Sequence, residues 1–233
     1  MKRRLSNQRM PGVRRRDRTT SGMTVPEVMA VVVVMFFLAA VLLPAMSPRR
    51  VRSSRINCVS NLKQIGLGLR MWSGDHEERF PWQSPEVTNS VSNATESSEV
   101  RRYFLAISNE LNSPKILACN ADKTVLREAA WEKLTDANIS YFLGLEAHEL
   151  LPQTILSGDR NLTGTSRSSN GIMRFTATTT ANWDNRMHNL CGNIGLADGS
   201  AQQVTGSALR KQIQAALLAT NVAELRFAVP KTK

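Results

Sequence analysis

From Val28 to Met46 the chain runs for nineteen residues without a charge. As one helix this stretch would measure about 28 Å, close to the depth of a hydrocarbon core. Further on, Ile56, Val59, Leu62, Ile65 and Leu69 recur at steps of three and four opposite the polar Arg55, Asn61, Lys63 and Gln64, which predicts an amphipathic helix. Taken together they predict a helix from Pro26 to Trp72, about 70 Å long. Pro44 and Pro48 each remove a backbone bond, so a kink or break is expected between Leu43 and Arg50. Gly66 and Gly68 disfavour a helix interior by up to about 1 kcal/mol each, which points to close backbone packing there.

After Asp75 the pattern dissolves into a Pro, Ser, Asn and Thr-rich loop. Val100, Tyr103, Phe104, Ile107 and Leu111 then mark a second amphipathic helix, with Ser97 or Ser98 as cap and Asn112-Ser113-Pro114 as stop. Short β segments follow in "PKILAC", "NISYFLGL", "QTILSGD" and "GIMRFTATTT". "GNIGLADGSAQQVT" predicts a hairpin turning at Asp198-Gly199, with its register open between a two-residue and a three-residue loop. Leu209, Ile213 and Leu217 define a last helix capped by Ser207, and "ELRFAVP" a final strand.

Charge changes the picture at one end only. The net charge of +11 would suggest a polyanion partner, but the first 22 residues hold eight basic residues against Asp17 alone. The remaining 22 basic and 18 acidic residues leave +4, and no basic run is interleaved with aromatics. Nucleic acid is therefore not an expected partner. Four basic residues follow the apolar run against eight before it, which by the positive-inside bias keeps the N-terminus in the cytoplasm. "LLPAMSP" makes a poor signal-peptidase site.

One feature of the apolar segment is anomalous: Glu27, a carboxylate at its lip. Gly22-Met23-Thr24-Val25-Pro26-Glu27, preceded by a basic leader and followed by the apolar run, resembles the type IV prepilin and type II secretion pseudopilin signature. The resemblance implies cleavage by a prepilin peptidase between Gly22 and Met23, methylation of the Met23 amine, and a filament-assembly role for Glu27. Locally, Glu27 can neutralise the ammonium created by cleavage, in its own subunit or a neighbouring one. Pro26 and Met23 depart from the residues usual in that family. Pro26 is tolerable in a first turn, whose N–H groups lack partners anyway. "CVSNLKQIGLGLRMW", "ACNAD" and the spacing of His188 to Asp198-Gly199 resemble a bacterial subgroup of pseudopilin-like proteins with a His-x9-Asp-Gly motif.

The resemblance implies a pilin-like lollipop in the α+β class. A cleaved leader (1–22) precedes an N-terminal helix (23–72), transmembrane over about 27–46, which packs on a small antiparallel sheet with additional helices in a periplasmic domain (73–233). The implied function is that of a structural subunit in a type II secretion-like periplasmic filament at the inner membrane. Its partners would be the prepilin peptidase, other pseudopilins or copies of itself, the inner-membrane secretion platform and membrane lipid. A minor type IV pilin for adhesion or DNA uptake, and a tethered periplasmic binding module, are the alternatives.

Candidate chemistry is sparse, and no enzyme activity is expected. His188, Cys191 and Asp198 contain the residue types of a thiol nucleophile or part of a metal site, but one strand-turn segment cannot establish mutual geometry. A turn with a hydrogen-bonded histidine explains them as well. No metal or cofactor is expected. Calcium is a feature of major pseudopilins, yet Asp159, Asp184 and Asp198 form no spaced motif. In an oxidising compartment three cysteines give one disulfide and one free thiol, and Cys119 with Cys191 is the expected pair. A reduced, buried set is the alternative.

Overall fold

The computed structural model of the protein describes residues 22–45, 49–88 and 100–231, with side chains apart from those of 41–53. The leader, the caps Ser97 and Ser98, and the link 46–48 lie outside the described residues. The chain divides into two compact units, Met1–Ser47 and Pro48–Lys233.

In the first unit, α1 runs from Val25 to Ala45. Thr24 precedes it, and Glu27 in its first turn accepts a hydrogen bond from the Thr24 N–H at 3.2 Å. Thr24-x-x-Glu27 is thus one half of a capping box, in which the acid three residues in satisfies the cap residue's own amide.

The second unit begins with α2, Arg49–Asp75. Its buried face is Cys58, Leu62, Ile65, Leu69 and Trp72, spaced four, three, four and three. Ile56, expected on that face, is exposed, because the stripe starts two residues later at Cys58. A Cβ on Gly68 would meet Leu111 Cδ2 at 2.6 Å, which accounts for a glycine inside this helix. α3, Pro85–Thr88, and α4, Val100–Ala106, follow. All five residues of the second predicted stripe, Val100 to Leu111, are buried. "PKILAC" is not a strand. Pro114–Leu117 forms a 3-10 turn, started by Ser113, whose Oγ accepts from the Lys115 N–H, and by Pro114 in the first position.

The strands are β1 Tyr141–Gly144, β2 Ile155–Asp159, β3 Leu162–Thr163, β4 Ile172–Phe175, β5 Asn182–Trp183, β6 Cys191–Leu196, β7 Ala201–Thr205 and β8 Leu225–Ala228, with α5, Gly206–Thr220, between the last two. Six of them make one sheet in the order β4-β8-β1-β2-β6-β7, with every pairing antiparallel, while β3 and β5 pair separately. Alternate residues point to two cores. Tyr141, Leu143, Leu156, Ile172 and Ala228 join the core of α2 and α4. Phe142, Ile155, Met173, Ile194 and Phe227 join that of α5. The central strands β1 and β2 are therefore buried on both faces along their whole length. Each such side chain contributes about 1.5–3 kcal/mol by burial.

The hairpin register is settled by Gly195 opposite Ala201, with the turn closed by the Gly199 N–H donating to the Leu196 carbonyl and Gly199 at φ +84°. Thr205, not Ser207, caps α5, its Oγ1 accepting from the Ala208 N–H.

The pilin-like lollipop is not what the structure contains. The described residues form a sheet-rich domain built on a six-stranded antiparallel sheet. No helix among them is long and apolar enough to cross a membrane. The whole of α2 belongs to the second unit, because its apolar face completes one of that unit's two cores.

Candidate functional site

Where α2 meets the sheet, apolar packing gives way to a buried polar cluster. The four-three-four spacing of α2 turns Cys58 inward, and the 3-10 turn delivers Cys119 opposite it, with the two Cα atoms 5.5 Å apart. These two cysteines form the disulfide. Cys191, at the half-buried start of β6, is a free thiol, so the expected Cys119–Cys191 pair is corrected to Cys58–Cys119. The spacing on α2 held the signal, since Cys58 belongs to the buried stripe that Ile56 and Val59 had been expected to share.

His188 reaches the disulfide from the segment between β5 and β6. Asn189 and Leu190 just after it both adopt positive φ, 55° and 60°, and this double left-handed turn lets the chain re-enter β6 while the imidazole points inward. Its Nε2 lies 3.3 Å from Cys119 Sγ and 3.4 Å from Asp159 Oδ2, and its carbonyl accepts from Arg55 on α2. Asp159, the last residue of β2, is wholly buried. Its Oδ2 accepts from both the backbone and side-chain N–H groups of Asn193 at 2.7 and 2.8 Å, whereas Oδ1 has no hydrogen-bond partner among the described residues.

A second polar layer lies behind Cys119. Its N–H donates to Ser140 Oγ, which in turn donates to Asp122 Oδ2. Arg160 holds the same carboxylate with two hydrogen bonds of 2.7 and 3.2 Å. On β1, the Tyr141 hydroxyl accepts from Asn61 of α2.

Burial dominates the electrostatics here. It pushes the Asp159 carboxyl up to about 7, against the lowering effect of the Asn193 hydrogen bonds, and pushes the His188 imidazole down to about 4, helped by the Arg55 charge. The Tyr141 phenol moves far up for the same reason, with Asp159 adding to it. Burial works against ionisation of Asp122 too, but hydrogen bonds from Arg160 and Thr124 and the charge of Arg160 overcome it and hold its pKa low.

The other sequence candidates lie apart from this cluster. Asp198 is exposed in the β6–β7 turn, where its carboxylate accepts from the Ser200 N–H and its carbonyl from Arg70. With Gly199 it makes a turn, not a site. The histidine is thus grouped with Cys58, Cys119 and Asp159 rather than with Cys191 and Asp198. Asp184 is tied to Arg186, so Asp159, Asp184 and Asp198 do not assemble as calcium ligands. Gly22 and Met23 lie in the exposed lead-in to α1. Neither crowding nor a positive φ at Gly22 requires glycine, since a Cβ there would meet nothing within 4 Å.

A sulfur, an imidazole and a carboxylate are the parts of a thiol catalyst, but here sulfur and carboxylate meet the same imidazole nitrogen, the two sulfurs are bonded to each other, and all four residues are buried. No family model matches the chain, and no curated protein or solved structure shows detectable similarity to it.

Proposed function

We propose that the chain is a structural filament subunit of the pseudopilin kind, cut between Gly22 and Met23 by a prepilin peptidase, methylated on Met23, and assembled with copies or relatives of itself in the periplasm beside an inner-membrane secretion platform. The observation that carries this reading is the surface of α1. Val25, Val28, Met29 and every residue from Val31 to Leu38 are large apolar side chains exposed to between 40% and 78%. A helix that is apolar all round is stable only when something covers it. Equivalent helices of neighbouring subunits offer such a cover over the whole circumference.

Three further features agree. Gly22 has no role within the fold and is explained by a backbone that must thread a protease cleft. The Thr24–Glu27 bond keeps a carboxylate one residue from the amine that cleavage would create. The buried disulfide suits an oxidising compartment on the far side of the membrane.

Substituting Phe36→Asp, at a side chain 74% exposed, tests the assembly role. The variant is expected to be processed normally yet to be missing from the sheared, sedimentable filament fraction. Recovery of that variant in the fraction at the wild-type level would contradict the reading.

A further inference from the structure

Within the disulfide cluster, several distances are not those that a disulfide requires. A tetrahedral zinc site with sulfur at about 2.3 Å and nitrogen or oxygen at about 2.1 Å has ligand-to-ligand edges of about 3.4–3.8 Å. His188 Nε2 stands 3.3 Å from Cys119 Sγ, close to one such edge, and 3.4 Å from the Oδ2 atom of the Asp159 carboxylate. The ligand atoms of Cys58, Cys119 and His188 all lie within 4.8 Å of one another, and all three residues are buried. The sulfur-to-sulfur edge is short, because the two atoms are bonded.

We propose that the reduced chain binds one zinc-class divalent cation through Cys58, Cys119 and His188, with the neighbouring Asp159 carboxylate completing the site once the sulfurs separate, and that the Cys58–Cys119 disulfide is the oxidised, metal-free form of the same site. Two observations beyond the cysteine pair point to an ion. Asp159 is wholly buried and keeps Oδ1 without a partner among the described residues, a vacancy that a disulfide does nothing to fill. Asn193 meanwhile clamps Oδ2 with two N–H groups, the outer support that a ligating carboxylate commonly has. The donor set, two thiolates with one imidazole and one carboxylate, favours a tetrahedral borderline cation over calcium or magnesium. This departs from the sequence expectation that no metal is bound.

The chemistry balances without a catalyst. On the newly made chain the two cysteines are thiols. Binding of the cation displaces one proton from each, and both protons go to solvent. In an oxidising compartment the two thiolates pass two electrons to a disulfide oxidant. The sulfur–sulfur bond forms, the oxidant leaves as a dithiol after taking up two protons, and the cation is released. The ion would thus hold the α2-to-sheet junction together until the permanent cross-link forms. The inference does not depend on the filament reading.

Cobalt(II) titration of the full-length chain, reduced with a phosphine that does not chelate, tests it. One cobalt per chain is expected, with a thiolate-to-cobalt charge-transfer band and the intense visible bands of tetrahedral cobalt, all removed by stoichiometric zinc. The oxidised chain should show neither. Cys191→Ser should behave as wild type, and His188→Ala should lose the tetrahedral bands. Absence of the bands from the reduced wild type overturns the proposal whether or not that chain keeps its fold without metal. Equal bands in the oxidised chain, or their loss in Cys191→Ser, overturn it as well.

Discussion

His188 Nε2 lies 3.4 Å from Asp159 Oδ2, and neither side chain reaches solvent. Burial raises the pKa of one and lowers that of the other, so near pH 5 the folded pair holds a single proton, kept by the carboxyl. Arg55 from α2, Asp122 from the segment after the 3-10 turn and Tyr141 from β1 are the other charged or titratable groups facing this pair.

A pH dependence follows by linkage. His188, depressed from 6.5 to about 4, contributes stability that is present above 6.5 and lost as pH falls towards 4. Asp159, raised from 3.8 to about 7, contributes stability that is present below 3.8 and lost as pH rises towards 7. Over the shared window the unfolded chain also carries one proton on these two residues, so the slopes oppose each other. Urea unfolding of the wild type should show little pH dependence from this pair between about pH 4 and 6.5. Asp159→Asn should leave the histidine slope alone, with stability rising by on the order of 3 kcal/mol across that window. His188→Gln should show the reverse trend, and parallel profiles for all three proteins would contradict the shared-proton account.

The cysteine pairing predicts unequal costs. Cys58 and Cys119 are separated by 61 residues, and a cross-link of that span contributes about 4 kcal/mol in the chain-entropy description. Cys58→Ser should lower unfolding free energy by that order, while Cys191→Ser, a half-buried free thiol, should change it by less than about 1 kcal/mol. Peptide mapping without reduction should recover the segment around Cys58 joined to that around Cys119. A Cys119–Cys191 peptide would refute the assignment.

Much of the second unit was legible from periodicity. The α5 face and the second stripe follow from apolar spacing, because packing against a sheet selects for it, whereas the hairpin from Gly192 to Thr205 was legible from the Asp198-Gly199 turn alone. The 3-10 turn was not, since "PKILAC" has the apolar content of a strand and only the Ser113-Pro114 start distinguishes it. The site was legible least. Asp159 and His188 lie on different elements, and no local pattern reports that a carboxylate at a strand end will be buried without a charged partner. Thr24-x-x-Glu27, by contrast, is a local signal for a helix cap, and it sits within the segment read for its resemblance to prepilins. The membrane-spanning reading of α1 weighed the run's length and lack of charge, which do not determine what covers an apolar helix.

That cap gives Glu27 two separable jobs. In Glu27→Gln the side-chain oxygen can still accept from the Thr24 N–H, but the charge is gone. If the carboxylate acts by meeting the new ammonium, Glu27→Gln should be cleaved and start α1 normally, yet fail to enter filaments. If capping is all it does, the variant should assemble like wild type. Cross-linking and sedimentation of the two proteins side by side distinguishes these outcomes.

Intact-mass and N-terminal fragment spectrometry of the protein isolated from its native cells bears on the central claim most directly. The account predicts a mature chain that starts at Met23 and carries one methyl group on its amine. A chain that still begins with Met1-Lys2-Arg3-Arg4 would contradict it.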